Sequence, residues 1–182
     1  MLEAIIFVVV TLWITFVSRF SLRKPGSHGF YRFFAWEFML GLFVLNLRFW
    51  NVDTSAPHQI MAEILFIASL LLVLSAIAQL HFSGRADTRR NDAPMLEFEK
   101  TTSLVTTWVY KYIRHPMYCS LLLLCGGFFF KNPSLPGAIL AVVAGGFLVA
   151  TARAEEAENI RYFGEAYREY MKRSKMFIPF VF

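Results

Sequence analysis

The sequence predicts an all-α integral membrane protein of about five transmembrane helices. Helices four and five form a hairpin, and a cytoplasmic helix closes the chain. Of its 182 residues, 57% are hydrophobic and 20 are Phe, where a soluble domain has roughly 45–50% apolar residues. Charged residues fall to 17%, below the ~25% of an average domain. A soluble chain of this length has no interior large enough to hide so much apolar surface. The third observation is where the basic residues fall.

Five apolar stretches read as spans, namely Leu2–Val17, Phe33–Leu47, Ile60–Leu80, Met117–Phe130 and Leu135–Ala152. The fourth is short for the ~20 residues that cross a bilayer. The turn Lys131-Asn132-Pro133-Ser134 joins it to the fifth as a hairpin. Sixteen of the 18 basic residues fall on one side of this arrangement. Arg19, Arg23, Lys24 and Arg32 lie in the first loop. Arg85, Arg89, Arg90, Lys100, Lys111 and Arg114 lie in the third, and six more follow Ala152. Only Arg48 and Lys131 lie opposite. The positive-inside rule then places the N-terminus outside and the C-terminus in the cytoplasm. The net charge of +5 reads as a topology signal and a contact for anionic membrane lipid, not as a nucleic-acid surface.

Between the spans, the polar stretch Ser83–Lys100 reads as a cytoplasmic loop, and Thr101–Ile113 is amphipathic enough to lie at the membrane interface. Gly126, Gly127, Gly145 and Gly146 are expected to let helices four and five pack closely. Cys119 and Cys125 share one apolar run and read as small buried hydrophobes, with no disulfide or metal site. Glu63 and Arg48 sit near the outer interface, where snorkelling accommodates them. Glu37 lies a few residues into the second stretch and either lines a cavity or pairs with Arg32.

The chemistry-bearing residues collect at the cytoplasmic ends of the hairpin. Helix four is preceded by Tyr110-Lys111-Tyr112-Ile113-Arg114-His115-Pro116-Met117-Tyr118. Pro116 suits a first helical turn, and Arg114 and His115 then flank free N–H groups that favour an anion. Helix five continues into Arg153-Ala154-Glu155-Glu156, and paired carboxylates after an apolar span need a cationic or donating partner. Further on, Glu169 is spaced to pair with Arg173. A hairpin sets the two ends side by side. The pocket between them offers positive charge to a carboxylate and negative charge to an ammonium, ribose hydroxyls or a sulfonium. That polarity fits S-adenosylmethionine.

The segment Y-K-Y-I-R-H-P-M-Y at Tyr110–Tyr118 resembles the R-H-P-x-Y signature of the isoprenylcysteine carboxyl methyltransferase and phospholipid methyltransferase superfamily. Glu155-Glu156, Phe163-Gly164-Glu165-Ala166-Tyr167-Arg168-Glu169-Tyr170 and Pro179 are similar to that family's E-E…F-G-x-x-Y-x-x-Y…P tail. The likeness covers roughly Leu104–Pro179. Length predicts a single membrane domain over 1–182, with N-terminal helices and a cytoplasmic loop in 1–103, and the likeness, which carries nothing over to the first three helices, implies a cofactor-binding catalytic region in 104–182. The likeness further implies a cytoplasm-facing S-adenosylmethionine site. Tyr110, Arg114, His115, Pro116, Tyr118 and Ser120 would form one wall and Glu155 and Glu156 another. Arg114 and Glu156 would take the catalytic roles, and Tyr167 and Tyr170 would be mainly structural.

The chain departs from the family pattern twice. Trp108-Val109 stands where Gly-Pro is common, and Ser120 where Gly is common. The implied substrate is a lipophilic small molecule or lipidated acceptor reached from the bilayer. A prenylcysteine-type carboxylate is favoured by the available Arg residues, and a phospholipid amine or a small thiol is the alternative. An NADPH-dependent membrane reductase and a non-catalytic membrane protein of the same fold are the readings of other classes.

Overall fold

The computed structural model describes residues 1–83 and 103–181. Most of the Ser83–Lys100 loop, with Arg85, Arg89, Arg90 and Lys100, lies outside the described residues, as do Thr101 and Thr102. Among the described residues six α-helices follow in order: α1 (Leu2–Leu22), α2 (His28–Asn46), α3 (Pro57–Ser83), α4 (Pro116–Lys131), α5 (Leu135–Phe163) and α6 (Glu165–Arg173). Short 3-10 turns lie at Leu47–Phe49 and Trp108–Lys111. Four of these helices, α1, α2, α3 and α5, are long and apolar enough to cross a membrane, so the chain is an all-α integral membrane protein. At 1.5 Å per residue, α4 reaches about 24 Å, short of the ~30 Å hydrocarbon core. It packs against α2, α3 and α5, so protein covers the backbone that lipid would otherwise meet.

The helices overrun the apolar stretches because polar residues cap and extend them. Ser27 accepts from the Phe30 N–H and starts α2 at His28. That start puts Glu37 near the middle of α2, deeper than the sequence suggests, where Thr11 of α1 donates to its carboxylate at 2.8 Å. Ser134 likewise caps α5 by accepting from Gly137. With about 43 Å of length, α5 runs past its apolar part and carries Glu155 to Phe163 beyond it.

The hairpin is present, with α4 and α5 in contact, although α4 packs most extensively on α3 and α5 on α2. The glycines follow that arrangement. A Cβ on Gly126 or Gly127 would meet Leu65 or Phe66 of α3, so this pair serves α3 and not α5. Gly145 faces Leu122 of α4, while Gly146 faces open space. Ala35, Met39, Leu42, Cys125, Ala144 and Leu148 form the buried core among α2, α4 and α5.

Lys131, expected in the outer turn, is instead the last residue of α4 and only 2% exposed. Its ammonium donates to the Trp50 carbonyl at 3.2 Å, Gln59 at 3.0 Å and Glu63 at 2.6 Å. This joins the ends of α3 and α4 and pairs Glu63, which the sequence left to snorkel. At the opposite end of the bundle, His28 Nδ1 lies 2.5 Å from Glu158 Oε2 and ties α2 to the extension of α5.

Candidate functional site

The site forms where the chain leading into α4, the extension of α5, and α6 converge. Pro116 occupies the first turn of α4 and His115 is its N-cap, so the helix opens toward the residues before it, as its missing donor permits. The following tail returns to this point. Ile113 bridges Lys175 in parallel, the Arg114 N–H donates to the Lys175 carbonyl at 2.7 Å, and the His115 N–H to the Met176 carbonyl at 3.2 Å. The tail therefore holds Arg114 and His115 by their backbones.

Their side chains reach α5. Arg114 Nε donates to Glu156 Oε1 at 2.6 Å, with both side chains about nine-tenths buried. Arg114 Nη1 donates to the Ser174 carbonyl at 2.5 Å and reaches the Met171 carbonyl at 3.4 Å. His115 Nε2 lies 3.3 Å from the same Glu156 oxygen. Glu156 is thus met by two partners, which answers the desolvation that its burial imposes. Glu155, more open to solvent, accepts from the Tyr118 hydroxyl at 2.5 Å. The His115 and Tyr118 rings stack with centroids 5.5 Å apart.

A half-open cleft beside these contacts is lined by Tyr110, Arg114, His115, Pro116, Tyr118 and Glu155, together with Asn159, Phe163, Tyr167 and Tyr170. Leu80 of α3, Leu104, Val105 and Met117 give it an apolar side. Its volume is about 80 Å³, below the roughly 300 Å³ of the smallest common ligand sites. Tyr170 donates to the Tyr110 carbonyl at 2.6 Å, which fixes α6 on the cleft. Burial raises the pKa of Tyr167 and of Tyr170; for Tyr167 the charges of Glu155 and Glu156 add to it. Both hydroxyls therefore remain protonated donors.

Of the residues singled out in the sequence, the structure brings Tyr110, Arg114, His115, Pro116, Tyr118 and Glu155 to the cleft, with Glu156 directly behind Arg114 and His115. Ser120 is apart from them. Its hydroxyl donates to the Met117 carbonyl, and its own carbonyl accepts from Ser69 of α3, so it belongs to the α3–α4 contact. Sequence reasoning missed Asn159, whose side chain hydrogen-bonds Tyr167. Its spacing of four from Glu155 puts the two on one helical face, a signal that was available. Glu37 lines no part of this cleft. Among the described residues no group of His, Cys, Asp or Glu side chains is disposed to hold a metal ion.

Comparison with known proteins supplies the deciding observation. Residues 57–166, about three fifths of the chain, match the phospholipid methyltransferase family. The chain belongs to that family. The match runs from the start of α3 through the hairpin into α6 and contains the Arg114–Glu156 pair, whereas α1 and α2 lie outside it. The chain is 24% identical over 137 residues to a methanethiol S-methyltransferase of Pseudomonas deceptionensis, covering 74% of this chain and 51% of that protein. It is 25% identical over 175 residues to methanethiol S-methyltransferase 1 of Bradyrhizobium diazoefficiens, covering 93% and 58%. It is 31% identical over 104 residues to the protein-S-isoprenylcysteine O-methyltransferase of Mus musculus, covering 53% and 34%. The chain thus spans about half the length of the Pseudomonas relative. No solved structure gives a significant match.

Proposed function

We propose that the protein is an S-adenosylmethionine-dependent integral membrane methyltransferase acting on a lipophilic acceptor, with residues 104–182 as its cofactor-binding catalytic region. The observation that carries this reading is the meeting of Arg114-His115-Pro116 with Glu155-Glu156 at one mouth, inside the family-matched segment. The cofactor would bring a methyl group on a sulfonium, already activated for transfer. The residues present fit it. The opening turn of α4 presents free N–H groups to a carboxylate, Glu155 offers an acceptor to an ammonium or to ribose hydroxyls, and the rings of Tyr110, Phe163 and Tyr167 suit an adenine and a cationic sulfur. Glu156 and Arg114 hold one another and keep His115 in place. The basic residues in and around this mouth support its facing the cytoplasm, with the N-terminus outside.

The acceptor would enter along the apolar side formed by Leu80, Leu104, Val105 and Met117. The sequence alone favoured a carboxylate acceptor because arginines were at hand. Arg114, the one Lys or Arg among the described lining residues, is engaged by Glu156 and two carbonyls, which supports a small thiol instead. A thiol must lose its proton, and Glu155 and His115 are the bases within the cleft. The names of the Pseudomonas and Bradyrhizobium relatives agree with a thiol, while the likeness to the mouse protein keeps the prenylcysteine carboxylate as the second reading. Purified protein given radiolabelled S-adenosylmethionine, with an alkanethiol or a prenylcysteine analogue, tests the choice. Label passing to the thiol alone supports the first reading, label passing to the carboxylate alone supports the second, and transfer to neither under conditions of proven cofactor binding overturns both.

A further inference from the structure

The segment joining α3 to the cleft turns two faces in opposite directions. Val109 and Tyr110 point inward and pack with Val105 against Ala76 and Leu80 of α3. Trp108 points outward, 76% exposed, and does so from a left-handed backbone with φ +53°, a conformation disfavoured for a bulky side chain. The C-terminal tail repeats this pattern. Met176 and Phe177 are buried, Phe177 against the His115 ring, while Ile178, Phe180 and Val181 are exposed. The Phe180 ring meets Tyr112 at 6.0 Å. The Ile113–Lys175 bridge holds the two segments together, so their outward apolar side chains belong to one surface.

Charge surrounds that surface. Lys111 Nζ sits 5.6 Å from the Tyr112 ring centroid, and Lys172, Arg173 and Lys175 follow along α6 and the tail, all exposed. Among the described residues, Lys172 has an acidic partner, Glu169, at 2.5 Å. The inward face of this same segment packs on the last turns of α3, a helix able to span the membrane and exposed at Leu74 and Ile77. The patch therefore continues the lipid-facing side of α3 at its charged end. We propose that Trp108, Tyr112, Ile178 and Phe180, ringed by Lys111 and Lys175, dock into the headgroup layer of a bilayer carrying anionic phospholipid. Aromatic side chains favour that depth, and lysines there gain from the negative surface potential. A left-handed Trp108 is what turns a large ring away from the fold and toward that layer.

Tryptophan quenching by brominated phosphatidylcholine tests the proposal on the full chain reconstituted into vesicles. One set contains phosphatidylcholine alone and the other includes phosphatidylglycerol. The difference between the native chain and W108F isolates the Trp108 emission. F180W in the W108F background provides a second probe if the first position tolerates no change. Quenching of either probe should rise by about twofold or more with the anionic lipid, and K111Q/K175Q should bring it back to the level of neutral vesicles. Quenching that is strong but indifferent to anionic lipid overturns the role given to the lysines. Probes open to iodide in the water phase in both vesicles overturn docking altogether. Probes shielded from lipid and iodide alike mean that a second protein copy covers the patch, which also overturns it.

Discussion

Arg114 and Glu156, 42 positions apart in the chain, meet at 2.6 Å with both side chains about nine-tenths buried. The contact ties the entry of α4 to the extension of α5, and Arg114 carries it on to the tail through the Ser174 carbonyl. Three separate parts of the chain thus depend on one guanidinium.

Breaking this pair from one side leaves the other charge buried and unmatched. Glu156→Leu or Arg114→Met should each cost about 3–5 kcal/mol. The double variant Arg114→Met with Glu156→Leu should lose clearly less than the two single losses combined, because no lone charge remains. Urea unfolding in detergent, followed by the circular dichroism of the helices, gives the four corners of that cycle. Strict additivity would mean that the contact carries no coupling.

Lys131 and Glu63 test the opposite end. Lys131→Ala strands Gln59 and the Trp50 carbonyl and opens a gap between α3 and α4, and it should cost about 2–4 kcal/mol. Glu63 is 57% exposed, so solvent screens its contribution, and Glu63→Gln should cost no more than about 1 kcal/mol. The same unfolding measurement distinguishes them. Equal losses would contradict the caging of Lys131.

The paired glycines separate packing from permissiveness. At Gly127 an added methyl would come within 3 Å of the Phe66 ring, itself stacked on Trp50 and edged by Phe128. Gly127→Ala should therefore destabilise by about 1–3 kcal/mol. Gly146 has nothing within 4 Å, and Gly146→Ala should be neutral or stabilising by up to about 1 kcal/mol. Melting temperatures of the two variants, measured side by side, check the contrast.

These residues also mark how far the sequence could be read. Apolar runs long enough for a bilayer announced the spans, and Pro116 and the Asn132-Pro133-Ser134 turn announced the hairpin. Helix ends were obscured because caps such as Ser27 extend helices through polar residues that hydropathy discounts, and Glu37 was placed too shallow as a result. The partners of Gly126 and Gly127 were hidden for another reason: periodicity shows that a face is small, not which neighbour it meets. Lys131 resembled a solvated turn residue until Gln59 and Glu63, about seventy positions earlier, were seen to surround it. On α6 the spacing of Glu169 suited Arg173, yet Glu169 pairs with Lys172, since positions three and four apart are both within reach on a helix. Six of the eight candidate site residues line the cleft and Glu156 backs it, because a two-helix hairpin constrains its own ends. Ser120 lies off the cleft because two residues past Tyr118 turn a side chain by about 200°, to the opposite face of α4, where the Ser120 carbonyl meets Ser69 of α3.

The central claim is that the cleft between Arg114-His115 and Glu155 holds S-adenosylmethionine. The measurement that meets it most directly is the binding of S-adenosylhomocysteine to the detergent-purified protein, followed by thermal stabilisation, with NADPH as the control and Glu155→Gln as the variant. Glu155 bears less of the fold than Glu156, so its substitution probes the ligand more than the bundle. At a hundredfold excess over the dissociation constant the native protein should gain about 2.7 kcal/mol, NADPH should add nothing, and Glu155→Gln should remain folded with most of that gain lost. A gain from NADPH in place of the adenosyl compound, or a folded Glu155→Gln protein stabilised as fully as the native one, would contradict the claim.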